Sequence, residues 1–83
     1  MNYIHYRGMT VNESEFERAL TKKGMSVRGL AAAIGMPEVI LSAKMQGNTE
    51  FMASEIQAIA QTLGLNLKQV NEIFFDKYVN YVH

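Results

Sequence analysis

Residues 27–47 constrain the fold most strongly, because two short helical patterns there are separated by a single glycine. The first pattern carries the apolar stripe Leu30, Ala31 and Ile34, spaced to lie on one helix face. Gly35 supplies the positive φ that a tight turn between two helices requires. A small residue such as Ala31 is what two steeply crossing helices need where their axes approach. The stretch therefore predicts two short helices joined by a tight turn.

The second helix of this pair is predicted to start at Met36 and Pro37 and to run through Gln46. Proline is tolerated at the first helical position, and the residue before it is disfavoured in helical conformation. Gly47 and Asn48 form a turn signal that ends the helix.

Three further helices are predicted by caps and apolar spacing outside this stretch, and Ser26 is the predicted N-cap of the helix before Gly35. The first begins near Asn12 or Ser14 and ends at Gly24, the fourth covers residues 53–63, and Asn66 with Gln69 opens a fifth that runs to about Phe75. The predicted fold class is an all-α, compact five-helix domain, and residues 1–83 are too few for a second core. The termini, residues 1–11 and 77–83, are predicted to be short and strand-like.

The net charge is zero, but the charges are unevenly distributed. Residues 18–48 carry five lysines and arginines against Glu38 alone, whereas the rest of the chain carries three basic and seven acidic residues. This asymmetry favours a phosphate-binding face on an otherwise acidic molecule.

Several classes of function are disfavoured by the composition. There is no cysteine for a disulfide, a thiolate zinc site or a thiol nucleophile, and the two histidines, His5 and His83, lie at opposite ends. No acid–base pair, glycine-rich phosphate loop or metal cluster indicates an enzyme, so neither catalysis nor a cofactor is expected. No apolar run approaches the ~18 residues of a membrane span, and the N-terminus lacks a secretory apolar region, so a soluble cytoplasmic protein is expected.

Residues 27–47 resemble the helix-turn-helix family of phage repressor and Cro proteins, whose DNA-binding domain is termed lambda-repressor-like. The matching features are Leu30 followed by Ala31, Ile34 followed by Gly35, the apolar Met36, and Leu41 six residues after Gly35. Leu41, Ser42, Lys44 and Gly47, together with residues 72–75, also resemble a branch of small phage transcriptional regulators. The resemblance covers roughly residues 16–75, and it implies a dimeric repressor or Cro-like protein that binds operator DNA.

The resemblance also implies a DNA-reading face on the second helix of the motif. In the family this helix enters the major groove and the first helix braces it. The implied base-contacting residues, which fall on one arc opposite Ile40, Leu41 and Met45, are Glu38, Val39, Ser42, Ala43 and Gln46. Ser42 and Gln46 can donate or accept at base edges, and Glu38 can accept from a cytosine amino group. Val39 or Ala43 can contact a thymine methyl group.

Phosphate contacts are implied for residues that flank this face, namely Arg28, Lys44, Asn48 and Thr49, with backbone amides before the fourth helix. Arg28 and Lys44 would otherwise be solvated surface charges.

Two departures from the family pattern stand out. The presumed reading face has no arginine, lysine or asparagine and includes an acid, and Lys44 occupies a position that is usually apolar.

These departures leave an alternative function open. The same fold could serve as a protein-interaction module, such as an antirepressor or a repressor partner, because an apolar and acidic face suits a protein partner as well as a groove. Tyrosines at both termini further predict that strand-like ends pack together or across a twofold axis. Tyr78 and Tyr81 are accordingly the predicted homodimer contacts.

Overall fold

Residues 11–75 are described by the computed structural model, and they form five α-helices in sequence order. The helices are α1 (Glu13–Lys23), α2 (Val27–Ile34), α3 (Glu38–Met45), α4 (Ala53–Leu63) and α5 (Leu67–Phe74). The all-α, five-helix prediction is confirmed, and no strand occurs among residues 11–75. The predicted strand-like segments, and with them Tyr78 and Tyr81, lie outside the described residues apart from Val11.

Side-chain caps start three of the helices where the sequence predicts them. The Asn12 carboxamide oxygen accepts from the Glu15 N–H of α1, and the Ser26 hydroxyl accepts from the Gly29 N–H of α2. Asn66 and Gln69 form the predicted reciprocal pair, in which each side chain accepts from the other residue's backbone N–H at 2.8 Å. Because these bonds connect near neighbours in the chain, the helix starts are specified by local sequence.

The third helix begins one residue later than the sequence predicts. Pro37 is its N-cap, with an extended backbone (φ −60°, ψ 140°), instead of its first helical residue. The Pro37 carbonyl accepts from the Ile40 and Leu41 N–H groups, so the fixed φ of proline still directs the chain into α3. Gln46 is the C-cap of α3, and Gly47 follows with φ 87°.

Three phenylalanines from different parts of the chain form the centre of the core. The Phe16 ring of α1 lies 5.6 Å from that of Phe74 in α5 and 6.1 Å from that of Phe51, which precedes α4. Phe51 and Phe74 pack edge to face at 5.2 Å. Phe51 directly precedes Met52, the N-cap of α4, and its burial in this cluster joins the start of α4 to α1 and α5.

The helices pack as two groups that share α4. α2 packs against α3 and α4, whereas α1 packs against α5 and α4. The Asn12 N–H donates to the Ile73 carbonyl at 2.8 Å, so the two ends of the described chain lie side by side. None of the described helices is long and apolar enough to cross a membrane.

Candidate nucleic-acid interface

The turn between α2 and α3 has the geometry that the sequence predicts. Gly35 adopts φ 72° and ψ 35°, and the Met36 N–H donates to the Ala31 carbonyl at 2.9 Å. A Cβ atom at Gly35 would meet no atom within 4 Å, so this position favours glycine through its backbone conformation and not through lack of space. Leu30, Ala31 and Leu41 are buried beneath the turn. The α2–α3 pair is therefore held by a buried apolar contact that leaves the other side of α3 free.

The residues predicted to read bases lie together on the outer side of α3. Val39 is 72% exposed, Glu38 and Gln46 are exposed, and Ser42 and Ala43 are half-buried. Positions four apart on a helix share a face, so these side chains form one surface, called here the α3 face. The α3 face is defined as Glu38, Val39, Ser42, Ala43 and Gln46.

Ile40 lies differently from the sequence prediction. Its predicted place was on the buried side of α3 with Leu41 and Met45, but its side chain is 43% exposed. An eight-residue helix that packs mainly against α2 buries only a narrow stripe, and Leu41 and Met45 fill that stripe. Ile40 therefore adds an apolar edge beside the α3 face.

Arg28 lies next to the start of α3, as a phosphate contact at its flank would require. The Arg28 side chain is 87% exposed, and its Nε atom is 3.7 Å from a carboxylate oxygen of Glu38. Such an exposed and loosely spaced ion pair contributes little to stability. Breaking this ion pair therefore costs little free energy, so Arg28 can bind another anion in place of Glu38.

Lys44 occupies a different environment from the one that a phosphate contact needs. Its ammonium is 2.7 Å from the Glu55 carboxylate oxygen Oε1, and only 12% of the Lys44 side chain is exposed. The same Glu55 oxygen accepts from the Met52 N–H at 2.8 Å, and the ammonium lies 6.0 Å from the centre of the Phe51 ring. The Lys44 ammonium is therefore engaged by Glu55 and is not placed as an exposed phosphate contact.

The pKa of Glu55 reflects this environment. Burial by itself raises the pKa of the carboxyl group. The hydrogen bond from Lys44, the hydrogen bond from the Met52 backbone and the attraction of the Lys44 charge outweigh burial, and the pKa lies below its ordinary value. The folded protein therefore holds Glu55 ionised more firmly than the unfolded chain does.

Stability should consequently depend on the ionisation of Glu55 at acidic pH. A lowered folded-state pKa stabilises the fold above the unfolded value of about 4.3, and this stabilisation is lost as pH falls through the folded-state pKa. Glu55→Gln is expected to cost about 1–2 kcal/mol at pH 7, with a smaller deficit at pH 3. Urea unfolding from pH 7 to pH 3 measures this difference. A stability deficit that stays constant over that pH range would contradict the ion pair. Glu17→Gln is the control, because Glu17 is exposed on α1. This substitution should change the free energy of unfolding by no more than about 0.5 kcal/mol at pH 7.

The remaining predicted phosphate contacts lie between α3 and α4. Asn48 and Thr49 are exposed on the connection that follows Gly47, and the Asn48 carboxamide approaches that of Gln46 at 3.5 Å. They can therefore flank the C-terminal end of the α3 face.

The basic residues of α1 do not add to the α3 face. Arg18, Lys22 and Lys23 border shallow grooves between α1 and α5, where Leu65 and Gln69 also lie. The positive charge that the sequence concentrates in residues 18–48 is therefore divided in the fold. Near α3, Arg28 is the exposed cation that remains among the described residues.

Comparison with protein-family models, curated proteins and solved structures finds no match to the chain. Within residues 11–75, no group of three histidine, aspartate or glutamate side chains is placed to hold a metal ion. A function therefore has to be inferred from the residues themselves and from their arrangement.

Sequence reasoning missed the ion pair between Lys44 and Glu55, although a signal was present. Lys44 lies three positions after Leu41 and one before Met45, so helical spacing places it near the buried side of α3. A lysine at such a position needs an acidic partner or a path to solvent. The partner comes from a different helix, and spacing along the chain does not identify it.

Proposed function

We propose that this chain is a sequence-specific DNA-binding transcriptional regulator of the repressor or Cro type. The observation that carries the proposal is the α3 face, on which Glu38, Val39 and Gln46 are exposed, above a buried α2–α3 contact. A helix held in this way, with its outer side free, has the shape that the major groove of B-DNA admits. In the proposal, α3 enters the groove and α2 braces it.

The start of α3 supplies both kinds of contact that such a complex needs. Glu38 is at the first position of the helix and can accept from a cytosine amino group in the groove. Arg28, on α2 beside it, is placed to reach a phosphate at the groove edge. When DNA binds, Arg28 exchanges the Glu38 carboxylate for a phosphate oxygen, and both groups keep a polar partner.

The rest of the α3 face supports base reading of a modest kind. Val39 and Ala43 offer apolar contacts suited to thymine methyl groups, while Ser42 and Gln46 offer hydroxyl and carboxamide groups. With Arg28, Asn48 and Thr49 as phosphate contacts, each subunit neutralises few phosphates. We therefore expect the affinity of a single subunit to be low, which makes a dimer necessary for tight binding.

Removing the phosphate contact at Arg28 tests the electrostatic part of the proposal. Arg28→Ala is expected to lower DNA affinity and to reduce the slope of log K against log salt by about one per subunit. Fluorescence anisotropy between 50 and 200 mM salt measures both quantities. Lys68→Ala removes an exposed cation from α5 instead and should leave affinity and slope unchanged. Equal effects of the two substitutions would show that only the net charge matters.

The proposed dimer is assigned to the chain termini, with Tyr78 and Tyr81 as contacts. Asn12 and Ile73 are hydrogen-bonded, so the segments outside residues 11–75 start from adjacent points and can contribute to one interface. A chain that ends at residue 77 is therefore expected to show a lower mass by light scattering than the full chain. An unchanged mass would remove the termini from the dimer contact.

A second candidate function is a protein-interaction module, such as an antirepressor or a repressor partner. It is favoured by the apolar character of exposed Val39 and Ile40, next to an acidic Glu38, on a helix with one exposed cation nearby. Under this alternative, Arg28→Ala leaves any weak DNA retention unchanged. The effect of that substitution therefore separates the two functions.

A further inference from the structure

We propose that Lys44 and Glu55 are positioning residues that set the orientation of α3 for the groove, an inference that rests on the proposed DNA-binding function. Lys44 lies in the last turn of α3, and Glu55 lies in the first turn of α4. Their ion pair connects the helix that presents the α3 face to the helix that lies against the core. Neither side chain belongs to the α3 face.

The contacts around the pair form a continuous link between the two helices. One Glu55 oxygen accepts both from the Lys44 ammonium and from the Met52 N–H at the start of α4. The carboxylate therefore caps α4 and holds α3 through the same atom. Each charge also stabilises its own helix, because a cation favours a helix C-terminus and an anion favours a helix N-terminus.

The ion pair supplements the apolar packing of α3. α3 packs mainly against α2, whereas its connection to α4 passes through Gly47 and the exposed residues 48–50. Leu41 and Met45 anchor one side of the helix by apolar burial, which is non-directional in itself. A charge-assisted hydrogen bond has a preferred direction, so the pair adds a directional restraint to these apolar contacts.

Because Lys44 and Glu55 carry opposite charges, their removal distinguishes a positioning role from a direct electrostatic effect on DNA binding. If Lys44 bound a phosphate, its removal would reduce the salt slope, as Arg28→Ala is expected to do. If Glu55 acted only through its charge, its neutralisation would strengthen the attraction to DNA. A positioning role predicts instead that both removals weaken binding and leave the salt slope unchanged.

The test compares Lys44→Met, Glu55→Gln and the double variant with the wild-type chain, on a duplex selected by the wild-type chain from a random pool. Each single variant is expected to lose about tenfold in affinity, with the double variant no weaker than either single variant. Circular dichroism at the assay temperature establishes that each variant is folded, and Glu55→Gln keeps an oxygen that can cap the Met52 N–H. Arg28→Ala serves as the slope control.

Two results would overturn the positioning role while leaving DNA binding in place. One is a salt slope reduced by about one per subunit in Lys44→Met, which would make Lys44 a phosphate contact. The other is wild-type or tighter binding by folded Glu55→Gln. A wild-type chain that retains no duplex at 50 mM salt would instead overturn the proposed function itself, and the positioning role with it.

Discussion

Replacing Phe16 with alanine is expected to lower the free energy of unfolding by about 3–5 kcal/mol. Phe16 is fully buried, and its ring contacts Phe51, which lies just before α4, and Phe74 at the end of α5. Removing the ring leaves a cavity where three parts of the chain meet. Small domains have only about 5–15 kcal/mol of total stability, so the variant should lose a large fraction of its free energy of unfolding.

Urea unfolding monitored by circular dichroism measures this loss. Leu67→Ala is the matched control, because Leu67 is 75% exposed at the start of α5 and its truncation should change stability by no more than about 0.5 kcal/mol. A loss below about 1 kcal/mol for Phe16→Ala would mean that the three rings do not form the centre of the core.

Replacing Val39 with aspartate is expected to lower DNA affinity by about a hundredfold or more. Val39 is exposed on the α3 face, so the substitution costs little stability, but it adds a second carboxylate next to Glu38. Inside a groove lined by phosphates, a new like charge without a partner costs several kcal/mol. The loss should exceed that of Arg28→Ala, because Arg28→Ala removes an attraction and adds no repulsion.

The control for Val39→Asp is Leu67→Asp, which makes the same change of charge at an equally exposed position outside the motif. Both variants should unfold at similar urea concentrations, and only Val39→Asp should lose the shift of a selected duplex in a gel. Equal DNA binding by the two variants would place the binding surface elsewhere than on α3.

The helix ends could be predicted from the sequence because local chemistry determines them. Asn12, Ser26 and Asn66 accept from N–H groups three residues away, so each cap is specified within four residues of chain. Gly24 and Gly35 both adopt the left-handed conformation that the sequence assigned to them. Such signals mark the starts of α1, α2 and α5 and the ends of α1 and α2, whereas α3 differs at its start because Pro37 caps the helix from outside.

The contacts between helices were harder to predict from the sequence, because they depend on which helix faces pack together. Helical spacing places Ile40 on the buried side of α3, but the narrow packing of α3 on α2 leaves it exposed. The partner of Lys44 is Glu55, eleven residues along the chain and on another helix, so no local pattern connects them. The resemblance to phage repressors implied a phosphate contact for Lys44. It matches positions along the sequence, but it carries no information about the side chains that surround each position.

The most direct test of the DNA-reading role of α3 is selection of duplexes from a randomised pool by the full chain, followed by sequencing. Val39→Asp provides the background pool, since it should fold but should not read the groove. We expect the wild-type chain alone to enrich a palindromic site with half-sites about one helical turn, ~34 Å, apart. Enrichment of no sequence over the Val39→Asp background, at both low and moderate salt, would contradict sequence-specific DNA binding and favour a protein partner for the α3 face.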